Sequence, residues 1–216
     1  MPSPKLVIFD LDNTLINTRP AAKVGYKQAI YFLAKREGIY QNRDKLYNHW
    51  KRLVQSIQPD PDPLKRRFSY SLSLLLQKHH LPETHLTEAV LVQEREMLAH
   101  LEPQPGANEL LRQLKSRSIL VAVATASERS EAVKKLKRTH LLPFIDSLLT
   151  ATEIGRMKPD PSYYQILKDR LKIKAASILV VGDDETEDLS PAKKLGFQTL
   201  LMPPKGGHLG LVLNAL

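Results

Sequence analysis

Two aspartates spaced one residue apart close an apolar run in "LVIFDLDNTL", residues 6–15. Asp10 and Asp12 repel each other when both are ionised, and like charges at close range raise pKa values or demand a counter-ion. A second pair of acids closes the run "ILVVGDD" (178–184), with Asp188 four residues further on. Thr125 ends the run "ILVAVAT" (119–125), and Lys158 stands in "IGRMKPDPS" (154–162). Clustered carboxylate oxygens suit Mg²⁺, which prefers octahedral oxygen coordination and keeps several waters. A Lys and a Thr beside such a cation suit a phosphate, one as a point charge and the other as a hydrogen-bond donor. A carboxylate held rigidly at a strand end can attack phosphorus in line. A second one two residues on can protonate the leaving oxygen and later activate water. General acid–base help is worth roughly 10²–10⁴-fold, against accelerations of up to about 10²¹ for phosphate monoesters. Metal and cationic stabilisation must therefore carry much of the barrier.

Such residues must be brought together by the elements that end in them. The apolar runs at 5–9, 119–125, 147–151, 178–184 and 197–202 read as buried parallel strands. Helical stretches are predicted between the later runs, near 106–116, 128–139, 161–171 and 191–195. Strand–helix alternation of this kind predicts an α/β fold, a doubly wound parallel sheet with helices on both faces. In such sheets, ligands bind at the carboxyl ends of the strands. That is where Asp10, Asp12, Thr125, Asp183 and Asp184 fall.

Residues 20–101 follow a different pattern. Ala29, Ile30 and Leu33 recur at helical spacing, as do Leu46, Trp50, Leu53 and Ile57. Leu72, Leu75, Leu76 and His79 form a third set, and Val90, Met97, Leu98 and Leu101 a fourth. Breaks fall near Gly38, at "QPDPDP" (58–63) and at "HLPET" (80–84), so about four helices are expected with no strand between them. The block reads as an insertion after the first strand. The expected division is a catalytic core of 1–16 and 102–216 and an inserted helical cap of 17–101. The tail "PPKGGHLG" (203–210) reads as a loop before a short final helix.

Composition is that of an ordinary globular protein, 42% hydrophobic and 25% charged, with no cysteine. That excludes disulfides, thiolate metal sites and thiol nucleophiles. No run approaches the roughly 20 apolar residues of a membrane span, and the start lacks the apolar segment of a signal peptide. The chain is expected to be cytoplasmic, with no membrane partner. Its net charge is +9 and uneven: residues 17–100 hold 14 Lys/Arg against 8 Asp/Glu, and the remainder 18 against 15. Dispersed basic residues read first as solvated helix faces and second as an attraction for an anionic small substrate. No nucleic-acid module surrounds them, and no nucleic-acid partner is expected.

These motifs resemble the haloacid dehalogenase (HAD) superfamily, and the match covers nearly the whole chain. "FDLDNTL" (9–15) is similar to its first motif, "VAVATAS" (121–127) to its second, "GRMKPDP" (155–161) to its third and "VVGDDETEDLSPAKKLGF" (180–197) to its fourth. "PQPGANELLRQLK" (103–115) resembles the helix that re-enters the core after the cap. The resemblance implies Asp10 as nucleophile and Asp12 as acid/base. It implies Thr125 as a phosphate ligand, and Lys158 as the cation holding nucleophile and phosphate. Mg²⁺ would be held by Asp10, Asp183 and the Asp12 backbone carbonyl, with Asp188 anchoring the metal site and Asp184 a further candidate. True haloacid dehalogenases of this superfamily lack the second aspartate, because halide leaves without a proton. Asp12 therefore points to phosphate esters, in the manner of the phosphoglycolate-phosphatase-like branch with a helical cap.

The expected function is a Mg²⁺-dependent phosphatase acting on a small phosphorylated metabolite through an aspartyl phosphate. The alternatives are a phosphomutase on a sugar phosphate and a non-catalytic module that keeps the phosphate pocket. Other residues carry weaker signals. Arg19, at the start of the helical block, is a candidate substrate contact. Arg52, Lys65, Arg66 and Arg67 read as a solvated face, Trp50 as a core residue of the block, and His79-His80 as a pair at a helix end.

Overall fold

The computed structural model describes residues 3–57, 67–202 and 209–215. The expected break at 58–63, the side chains of Lys65 and Arg66, and the loop at 203–208 lie outside the described residues. The chain clusters into two compact units, one of Met1–Arg19 with Leu101–Leu216 and the other of Pro20–His100.

The first unit is built on a five-stranded parallel sheet: β1 (Leu6–Phe9), β2 (Leu120–Thr125), β3 (Ser147–Thr150), β4 (Ile178–Gly182) and β5 (Gln198–Leu201), in the order β3-β2-β1-β4-β5. β1 is central, and its four residues are completely buried, which is why they form a continuous apolar run rather than an alternating one. In register, Leu6 to Phe9 pair with Leu120 to Val123 on one side and with Ile178 to Val181 on the other. Strand order runs in opposite directions from β1, so the switch point lies where β1, β2 and β4 end.

Successive strand residues face opposite sides of the sheet. One face buries Leu6, Ile8, Ala122, Ala124, Ile178 and Val180 against Tyr163, Tyr164, Ala192 and Phe197. Of the flanking helices, α5 (Ala107–Ser116) packs on β2 and α6 (Arg129–Arg138) on β3. A turn of helix, α7 (Ala151–Ile154), follows β3, then α8 (Ser162–Leu171) and α9 (Ser190–Lys194). The predicted strands and helices of this unit occur within a residue or two of their expected limits. The short pieces that the sequence reading does not give include α7 and a π-type turn at Glu185–Leu189. Neither is long enough to print a periodic pattern. Leu209–Ala215 forms a 3₁₀ helix, so the final helical piece is of the tighter kind.

The second unit contains α1 (Thr18–Arg36, whose first two residues belong to the first unit), α2 (Arg43–Ile57), α3 (Phe68–Lys78) and α4 (Leu86–Ala99). It has its own core of Ile30, Leu33, Leu46, Trp50, Leu72, Leu75, Leu76 and Ala89. Trp50 Nε1 donates to Ser71 Oγ at 3.0 Å, satisfying the buried indole. Several expected core positions differ, among them Leu98, which is half-buried on α4. Leu53 and Ile57 are half-buried near the end of α2, and Ala89 is buried where Val90 was expected. His79 is exposed at the end of α3, 2.7 Å from His49. Among the described residues, no helix is long and apolar enough to cross a membrane.

Candidate active site

Asp10 directly follows β1, and its N–H donates to Val181 O of β4 at 2.9 Å. The next residues turn sharply. Asn13 adopts a left-handed φ of 67°, a region that Asn enters more readily than most residues. Its Oδ1 accepts the Arg19 N–H at 3.0 Å at the start of α1. Gln104 clamps this loop from the returning chain, donating Nε2–H to Asn13 O and its backbone N–H to Leu15 O.

Lys158 reaches the end of β1 from the loop before α8. Its Nζ lies 2.6 Å from Asp10 Oδ1, 2.5 Å from Asp188 Oδ1 and 3.2 Å from Ala124 O. All three polar partners are needed, since a buried ammonium is expensive unless hydrogen bonds replace its water. Burial pushes the Lys158 pKa down, but Asp10 and Asp188 outweigh this and hold it well above the ordinary range, so it stays an ammonium.

Asp183 follows β4, and Asp188 comes from the π-type turn. Asp10, Asp183 and Asp188 each offer a carboxylate oxygen, all within 4.8 Å of one another. Burial raises the Asp10 pKa to about 6, opposed by Lys158 and reinforced by the charges of Asp188 and Asp12. Burial likewise raises Asp183, with the Asp10 charge next in size, and raises Asp188 against the pull of Lys158. Three acids raised together by burial and mutual repulsion, all with hard oxygen donors, fit a divalent cation of the Mg²⁺ type. Arg19, exposed, pairs with Asp183 Oδ2 at 3.0 Å. The expected substrate contact is therefore an ion-pair partner of this cluster.

Asp184 is not brought into the cluster. Its exposed carboxylate Oδ1 accepts from the N–H groups of Thr186 and Glu187 at 2.8 and 2.9 Å, capping the turn. A carboxylate satisfying orphan N–H groups in this way points along the turn and not into the acid cluster. Asp184 thus shapes the turn that delivers Asp188, whose N–H donates back to Asp184 O at 3.0 Å.

Thr125 is buried at the end of β2, and its Oγ1 accepts the Ser127 N–H at 3.1 Å. The Tyr163 hydroxyl lies within hydrogen-bond distance of both Thr125 O and Leu149 O, tying the ends of β2 and β3 together. Asp12 points to a different set of partners. Oδ1 accepts from Thr18 Oγ1 at 2.6 Å and Lys135 Nζ at 2.9 Å; Oδ2 accepts from Ser127 Oγ at 3.1 Å and Lys135 Nζ at 3.0 Å. Burial pushes the Asp12 carboxyl up, yet Lys135, Thr18 and Ser127 outweigh it and hold the pKa below the ordinary value.

Lys135, Ser127 and Thr18 were not among the residues singled out in the sequence. A signal for Lys135 was present: Ala132, Lys135, Leu136 and Thr139 fall at helical spacing and are all buried, so Lys135 lies on the apolar stripe of a basic helix. Ser127 and Thr18 carry no comparable mark.

A sequence model described as haloacid dehalogenase-like hydrolase matches residues 4–196. The chain belongs to this family. This haloacid dehalogenase-like hydrolase is 25% identical over 91% of its length to a glyceraldehyde 3-phosphate phosphatase of Methanocaldococcus jannaschii, covering 83% of that relative. It is 30% identical over 94% of its length to (S)-2-haloacid dehalogenase 4A of Burkholderia cepacia, covering 85% of that protein. The HAD hydrolase YfnB of Bacillus subtilis, solved bound to magnesium, has the same fold. It superposes with a TM-score of 0.78 over 100% of this chain and 99% of that one, at 19% identity.

Proposed function

We propose that this hydrolase is a Mg²⁺-dependent phosphatase of small phosphate monoesters, working through an aspartyl phosphate on Asp10. The observation that carries the reading is the convergence of Asp10, Asp183 and Asp188 within 4.8 Å of one another, with Lys158 Nζ 2.6 Å from Asp10. The Methanocaldococcus jannaschii relative, named a phosphatase, supports it.

In the first step an Asp10 oxygen attacks phosphorus and the bond to the ester oxygen breaks. Asp12, held ionised in the free enzyme by Lys135, Thr18 and Ser127, takes up a proton with the bound ester and gives it to that oxygen, so an alcohol leaves. In the second step water attacks the phosphorus of the aspartyl phosphate and gives a proton to Asp12. The bond to Asp10 then breaks, releasing inorganic phosphate and restoring both carboxyl groups. Lys158 orients Asp10 and offsets charge on the phosphoryl oxygens, and Thr125 binds one of those oxygens. Asp10, Asp183 and the Asp12 carbonyl would hold Mg²⁺, with Asp188 anchoring that site. When bound, the cation neutralises carboxylate repulsion and charge developing on the phosphoryl group. Asp184 serves the fold of the turn. In this reading residues 1–16 and 102–216 form the catalytic core and residues 17–101 the inserted helical cap, whose side chains select the metabolite.

The dehalogenase relative supplies a second reading, halide displacement from carbon by the same Asp10. The presence of Asp12 argues for the ester, since halide requires no proton. Both are tested together. A panel of phosphate esters with Mg²⁺ should release phosphate, a 2-haloacid should release no halide, and Asp10→Asn should abolish turnover with the fold intact. Retained turnover in that variant removes the nucleophile assignment, and halide release without phosphate release reverses the substrate class.

A further inference from the structure

Lys135 is a charged side chain that the chemistry above leaves unused. It sits on α6, ten residues after Thr125, and is only 2% exposed. Taking an ammonium out of water costs several kcal/mol unless partners replace the lost hydrogen bonds. Its partners are specific: both oxygens of Asp12 at 2.9 and 3.0 Å, Ser127 Oγ at 3.2 Å and Glu131 Oε1 at 2.7 Å. Each Asp12 oxygen is thereby gripped twice, once by the shared ammonium and once by a hydroxyl, Thr18 on Oδ1 and Ser127 on Oδ2. A carboxylate with one partner can swivel about its side-chain bonds, whereas one bridged across both oxygens has its plane and direction set.

We infer that Lys135 is a positioning residue for the phosphatase reaction: with Ser127 and Thr18, it holds the Asp12 carboxyl at the angle from which it exchanges a proton with the ester oxygen. The inference rests on the phosphatase reading. A purely structural role, neutralising a buried acid, would explain the same contacts, and the two differ in one respect. Correct placement of the acid matters when the leaving group is a strongly basic alkoxide. It matters little when the leaving group is stable as an anion. The ratio kcat/KM reports transition-state stabilisation relative to free enzyme and substrate, and so the step that expels the leaving group.

The experiment measures kcat/KM with Mg²⁺ for an alkyl phosphate that the wild type hydrolyses and for p-nitrophenyl phosphate. Lys135→Met is expected to lower the alkyl value by about 10²-fold or more, the scale of general acid catalysis, and to leave the p-nitrophenyl value far less changed. Ser127→Ala, which removes one hydroxyl donor to Asp12 and one acceptor for Lys135 while leaving the ammonium in place, is expected to show the same selective loss at smaller size. It carries the test alone if Lys135→Met does not fold. Equal losses on the two esters, or no loss on either, overturn the positioning role while leaving the phosphatase reading intact. A wild type that hydrolyses no phosphate ester of the panel overturns that reading and the inference with it.

Discussion

At the residue scale, each site group is held by contacts that leave little freedom. Gly182 is the clearest case. A Cβ on this last residue of β4 would overlap the Asp188 carboxylate and stand 2.5 Å from its Cβ and Cγ. Asp188 can reach Lys158 only because Gly182 presents no side chain. Gly182→Ala should therefore push Asp188 off Lys158, at an overpacking cost of roughly 1–3 kcal/mol. It should also weaken the stabilisation by Mg²⁺. Thermal melting with and without Mg²⁺ checks both, and an unchanged metal response would detach Asp188 from the cation site. Asp184 makes the complementary point: adjacent to Asp183, it faces backbone N–H groups and not the cluster.

Elements matter through the faces they bury. α6 is strongly basic, yet Lys135 is turned into the core with Ala132 and Leu136, while most of its neighbours meet solvent. In the helical unit Trp50 joins α2 to α3, by its bond to Ser71 and by a ring contact with Phe68 at a centroid distance of 5.6 Å, and it stacks on Tyr47 of its own helix at 5.8 Å. Its ring also lies 4.9 Å from that of Tyr26 on α1. Trp50→Ala should cost about 3–5 kcal/mol, the usual range for a buried large aromatic. Because this unit has a core separate from the sheet, the loss should appear first as reduced helical circular dichroism at low denaturant. A denaturation midpoint unchanged from wild type would contradict that account of α1, α2 and α3.

For the whole molecule, the acid cluster ties stability to pH and, on the proposed function, to a bound metal. Asp10 is raised from 3.8 to about 6, chiefly by burial and then by the charge of Asp188. A raised carboxyl contributes stability at pH below 3.8, and that contribution is lost as pH rises through about 6. Without metal, then, the ionised cluster weakens the fold at neutral pH. A divalent cation needs the ionised form and removes the repulsion, so protons compete with it below about pH 6. The rise in Tm on adding Mg²⁺ should accordingly be larger at about pH 7 than at about pH 5, and much reduced in Asp10→Asn. An increment independent of pH would show that the cation binds away from these acids.

Much of this was readable along the chain, because apolar runs and turn chemistry are local. Leu6–Phe9 had to be a buried strand, and the acids closing it and β4 had to fall at the carboxyl ends of a parallel sheet. The motifs from Asp10 to Asp188 likewise marked a haloacid dehalogenase-like hydrolase. Only the tertiary structure separated Asp184 from Asp183 and placed Arg19 on a carboxylate. It also turned Lys135 toward Asp12, whose partners come from the start of α1 and from the chain that follows β2. The reason is physical: spacing determines which face or strand end a residue occupies, but the direction of a polar side chain is set by the partners that replace its water, and those arrive from distant parts of the sequence.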